Sequence, residues 1–152
     1  IASTSLNLFE SLLTKLVILI VERVASYSLE DLVSVKLCSR FLNEVGNERY
    51  VYQKVTLACF PTEPTWTVNQ HVMSFMNICI AWENLEALYR KGVFDFFNRN
   101  DPTALRMVKK KTAEGGHCGA EYVLVVISIF EGDISMRECL MYIGNMKKNM
   151  SV

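Results

Sequence analysis

Apolar positions recur with a helical period along most of the chain. Ser28-Leu29-Glu30-Asp31 has the form of a capping box, with Ser28 as N-cap, and predicts a helix to about Val45 that stops at Gly46. Val68, Val72, Phe75, Met76 and Cys79 form one helix stripe. Asn84 is placed to cap a helix carrying Leu85, Leu88, Tyr89, Val93 and Phe96. Asp101-Pro102 reads as an N-cap followed by a first-turn proline, opening a helix towards Gly115-Gly116. Ser135-Met136-Arg137-Glu138 is a second capping box, opening a last helix with Met136, Leu140 and Ile143 inward.

Two runs carry no clear period. Leu16 to Val21 is apolar all round and fits a buried strand or a buried helix. Tyr122 to Phe130 is β-branched and taken alone scores as strand. No hairpin turn signals flank either run, so helix is expected for both. Thr56 to Trp66, with Pro61 and Pro64, has no period and reads as a connector between residues 1–60 and 61–152.

The second part contains an echo. The segment from Asn84 aligns with that from His117 at an offset of 33, matching Ala87 to Ala120, Tyr89 to Tyr122 and Phe97 to Phe130. That spacing is typical of helix-pair repeats, in which a small residue lets two helices approach closely.

Composition narrows the function. Sixteen basic and sixteen acidic residues give zero net charge, without the basic surplus of a nucleic-acid binder. With 51% hydrophobic and 21% charged residues the chain is not of a disordered class. A neutral, apolar chain has little protection against association, which points to a partner surface. The apolar runs are much shorter than the ~20 residues that span a bilayer. No basic flank, apolar centre and small-residue site follow one another near the start, so neither a signal peptide nor a membrane partner is expected.

Five cysteines, an odd number without a CxxC pair, read as reduced core thiols in the cytoplasm or nucleus. The two histidines, His71 and His117, read as capping or packing residues. No HExxH, GxSxG, phosphate-binding loop or dinucleotide motif is present. An enzyme, a cofactor and a metal site are therefore not expected.

Residues 12–61 resemble an F-box. The likeness rests on Leu12 to Ser26, on SLEDLVSVKLCSRFLN from Ser28, and on Tyr50-Val51-Tyr52. The run through Leu57 and the following Phe60-Pro61 look like plant F-box proteins. ALYRKGVFDFF and AEGGHCGAEYVLVVISIF are similar to the tetratricopeptide-like and Sel-type helical tail of the same group. Where the family opens on Leu-Pro, this chain has Leu12-Leu13. The resemblance implies an all-α chain, a three-helix F-box over 1–60 followed by a small helical-repeat region over 61–152. It implies a substrate receptor of a cullin-type SCF ubiquitin ligase, joining a Skp-family adaptor, and through it a cullin, to an unknown protein substrate.

By motif match Leu12, Leu16, Ile20, Leu32, Val35 and Tyr52 lie near the adaptor surface, or else form F-box core. Tyr89, Arg90, Phe94 and Tyr122 are candidate lining of a small concave substrate surface, or else inter-helix core. The alternative function is a helical-repeat scaffold that binds a peptide and recruits no ligase.

Overall fold

A computed structural model describes residues 2–61, 69–109, 115–132 and 135–149. Among these residues all regular structure is helical, with α-helices in the order α1 Ala2–Tyr27, α2 Leu29–Cys38, α3 Arg40–Gly46, α4 Arg49–Lys54, α5 Gln70–Ala81, α6 Leu85–Arg99, α7 Pro102–Met107, α8 Cys118–Glu131 and α9 Met136–Asn149. Both ambiguous runs are helical. Leu16 to Val21 lies inside α1 and Tyr122 to Phe130 inside α8. The chain forms two compact units, Ile1–Asn84 and Leu85–Val152.

Local caps set the helix boundaries of the first unit. The Asp31 amide donates to Ser28 Oγ at 3.1 Å, as the capping box requires. The helix expected to run on to Val45 instead breaks at Ser39. Its backbone there is extended (φ −160°, ψ 159°), and its hydroxyl accepts from the Leu42 amide at 3.1 Å to start α3. A serine can hold its own cap bond, so one sequence run becomes two helices.

Gly46 ends α3, but not as a left-handed residue; the cap is Asn47 at φ −99°. The glycine serves close approach, since a Cβ there would meet Lys36 Cγ at 2.5 Å. Burial lowers the pKa of Lys36, whose ammonium donates to Asn47 Oδ1 and lies 5.7 Å from the Tyr52 ring centre.

Val21, Ala25, Leu32, Val45, Val51, Val55, Leu57, Met76 and Cys79 form the core of this unit. Of the expected α5 stripe, Met76 and Cys79 are buried, Val72 and Phe75 are half-buried, and Val68 falls outside the described residues. Burial pushes the Cys79 thiol up to about 12. Asn84 is buried, and its amide donates to the Tyr52 and Val55 carbonyls at 2.9 and 3.0 Å. Those bonds fasten the end of this unit to the carbonyls that α4 leaves open.

The second unit repeats one plan. α6 and α8 begin at Leu85 and Cys118, 33 residues apart, and α7 and α9 begin at Pro102 and Met136, 34 apart. Ala87 and Ala120, matched by the echo, are both fully buried. α6 and α7 cross at Gly92, where a Cβ would run into Val108 Cγ2. Asp101 caps α7 through the Thr103 amide at 2.9 Å. Ser135 and Glu138 close the reciprocal capping box of α9, the Glu138 amide donating to Ser135 Oγ at 3.3 Å and the Ser135 amide to Glu138 Oε2 at 3.2 Å. Gly132, at φ 80°, ends α8 in the left-handed region.

Two expectations need correction here. Met136 and Leu140 are exposed and Ile143 is half-buried, and among the described side chains of α9 the buried one is Cys139, which meets the Val125 carbonyl. Cys38, Cys59 and Cys118 are exposed; only Cys79 and Cys139 are core thiols.

Candidate functional site

The first candidate surface is the outward side of α1. At ~100° per residue, Leu12, Leu13, Leu16, Leu19 and Ile20 share about 120° of arc. Val21 and Ala25, buried against the rest of the unit, lie roughly opposite. Leu12, Leu16 and Ile20 are 55, 48 and 63% exposed. Leu13 and Leu19, which motif matching did not select, are exposed beside them. A proline at position 13 would stand mid-helix and remove a backbone hydrogen bond, because α1 begins well before it.

The other three motif-matched positions separate. Leu32 is 2% exposed and Tyr52 9%; both are core of the unit, and Val35 is half-buried. Tyr52 is held from within, its hydroxyl donating to Asn47 Oδ1 at 3.1 Å and its ring 6.2 Å from that of Phe75. Burial, and then the nearby Cys79, raise its pKa. The outward face of α2 is carried instead by Val33 and Leu37, four residues apart.

In the second unit a polar cluster ties α6 to the start of α8. His117 is the N-cap of α8, its Nδ1 accepting from the Ala120 amide at 3.1 Å. Nδ1 is therefore unprotonated, and Nε2–H donates to Glu86 Oε2 at 2.7 Å. Glu86 Oε1 takes Arg90 Nε at 2.5 Å. Burial alone would raise the Glu86 pKa, but the bonds from His117 and Arg90 outweigh it and hold the carboxyl below its usual range. The Tyr89 ring stacks on the imidazole at 4.5 Å, and Gly119 leaves room for it, since a Cβ there would stand 3.3 Å from Tyr89 Cζ.

This places the four candidate lining residues. Tyr89 and Arg90 belong to the cluster, and the Arg90 side chain is only 8% exposed. Phe94 is half-buried beneath the Arg99 guanidinium, 5.4 Å from its ring centre. Tyr122 is half exposed. Further along the same two helices, Phe96, Phe97, Val126, Ile127 and Phe130 line an apolar cavity of about 280 Å³. Phe97 and Phe130, matched by the 33-residue echo, thus meet at one hollow. Among the described residues no His, Cys, Asp and Glu side chains are grouped to hold a metal ion. No described helix is long and apolar enough to cross a membrane.

Residues 57–152 match the family of plant tetratrico peptide repeats. The chain belongs to that family. An F-box protein of Arabidopsis thaliana is 29% identical over 124 residues, covering 80% of this chain and 36% of that protein. The chain thus spans about a third of the length of this curated relative. No solved structure matches. In plant tetratrico peptide repeat terms, α6–α7 and α8–α9 are two successive helix pairs, with Ala87 and Ala120 as their small contact positions. The His117–Glu86 bond joins the first helix of one pair to the first helix of the next.

Proposed function

We propose that the chain is the substrate-receptor subunit of a cullin-type ubiquitin ligase. Its first unit docks on a Skp-family adaptor and its repeat unit holds a protein substrate. The observation that carries this reading is the outward face of α1, a row of five exposed Leu and Ile side chains on a helix whose opposite side is already buried. A helix with two apolar sides needs a cover for each, and the described residues of this unit supply one. The likeness to an F-box protein of Arabidopsis supports the identity of the missing cover.

In this role the chain does no chemistry of its own. Joining adaptor and substrate on one short chain raises the local concentration of substrate lysines near the ubiquitin-charged enzyme. The apolar hollow at Phe97 and Phe130 is suited to an apolar side chain of the substrate. Such a protein works in the cytoplasm or nucleus.

Co-expression with a plant Skp-family adaptor tests the reading. A tagged adaptor should retain this chain on the column and increase its soluble yield, as it does for an F-box protein run in parallel. Failure to retain it, with that control bound, would sink the proposal. A repeat scaffold that recruits no ligase is then the better reading, supported by a family match that covers only residues 57–152.

A further inference from the structure

We infer that the outward face of α1 pairs with the same face of a second copy of this chain when no adaptor covers it. The chemistry of the face is self-complementary. Between Leu12 and Ile20 the exposed arc holds Leu12, Leu13, Leu16, Leu19 and Ile20 and no charged side chain. Lys15 and Glu22 fall to one side of it, and Arg23 stands at its C-terminal end, where it donates to the Tyr27 hydroxyl at 2.6 Å. Two such stripes meet without burying a charge. Leu13, Leu16 and Ile20 are spaced three and four residues apart, the spacing that lets side chains of two helices interdigitate.

Direction follows from Arg23. In a parallel pair the two Arg23 side chains would stand side by side at the same end of the seam. An antiparallel pair separates them to opposite ends, so the antiparallel arrangement is the one inferred.

The area suffices for a weak dimer. Each of the five side chains is about half exposed, which leaves on the order of 100 Å² apiece to cover. The pair then buries about 1,000 Å² in total, at the lower limit for a specific association. Zero net charge means that two copies meet without long-range repulsion. The dimer is accordingly expected to form in the micromolar range.

The pairing does not depend on the adaptor reading. Mutual exclusion between copy and adaptor does rest on it, and it would make the free receptor hide its own docking face. Oligomeric state is read without any adaptor, so failure here and failure of the adaptor pull-down are separate results.

Sedimentation velocity of the full chain at about 1 to 100 μM should show 17.4 kDa monomer moving into a species of twice that mass. Leu16→Asp with Ile20→Asp should lower the association constant at least tenfold. Leu12→Lys with Leu19→Lys, on the flank of the same arc, should do the same. Circular dichroism of each variant checks that helix content is kept. A wild-type chain that stays monomeric, or one whose dimers or aggregates persist in the folded variants, overturns the inference.

Discussion

Gly92→Ala and Gly144→Ala are the same substitution inside a helix, and the structure gives them opposite signs. Replacing a mid-helix glycine by alanine contributes about 1 kcal/mol of stability through backbone entropy alone. At Gly144, in α9, a new Cβ meets nothing within 4 Å, so the full gain is expected. At Gly92 the Cβ would overlap Val108 Cγ2 and stand 3.4 Å from the Ala104 carbonyl oxygen. Val108 is fully buried and β-branched, with one strongly preferred rotamer in a helix, so its methyl cannot swing aside. Overpacking of this kind costs about 1–3 kcal/mol. The net result at Gly92 is a loss of about 1 kcal/mol, and the two substitutions should differ by about 2 kcal/mol.

Val108→Ala removes the clashing methyl. Gly92→Ala added on that background should then stabilise, with a coupling energy of about 1–2 kcal/mol. Native-state hydrogen exchange of α6 and α7 amides reads the second unit without interference from the first. If Gly92→Ala stabilises as much as Gly144→Ala, or the two sites show no coupling, the close crossing of α6 and α7 is wrong.

Other substitutions test the remaining joints. Ser39→Ala should destabilise the first unit by about 1 kcal/mol by removing the α3 cap, measurable as a lower urea midpoint. With iodoacetamide at pH 8 the native chain should take up three adducts, on the exposed Cys38, Cys59 and Cys118, and five when unfolded; the buried Cys79 thiol, at about 12, stays protonated. Glu86 is held below its ordinary value of 4.5 by bonds that exist only in the fold. Its contribution is therefore complete above about pH 4.5 and is lost as pH falls through the lower folded value, and Glu86→Gln should flatten the acid limb of stability against pH. An unchanged acid limb would argue against the Glu86–His117–Arg90 cluster.

Much of this fold was legible because helix ends are local. Ser28–Asp31, Asp101-Pro102 and Ser135–Glu138 all cap as their spacing predicts. The break at Ser39 was not legible, because a serine inside an apolar-periodic run looks the same whether it continues a helix or restarts one. The phase of α9 was missed for a related reason. Met136, Cys139, Leu140 and Ile143 form one apolar arc, and only the neighbour, here Val125 of α8, decides which edge is buried.

The motif left surface and core open for its six positions, and packing divides them: Leu12, Leu16 and Ile20 are exposed, whereas Leu32 is buried and Tyr52 meets the Phe75 ring of α5. The His117–Glu86 bond spans 31 residues and has no sequence signature beyond the repeat offset itself.

Titration of a purified Skp-family adaptor into the labelled chain, held below micromolar concentration so that it is monomeric, tests the central claim most directly. Covering Leu16 and Ile20 contributes about 1.5–3 kcal/mol for each side chain fully buried. Wild-type chain should bind saturably, and Leu16→Asp with Ile20→Asp should weaken binding by about 100-fold or more while the variant keeps its helix content. No saturable binding by the wild type, or equal binding by the variant, would contradict the account.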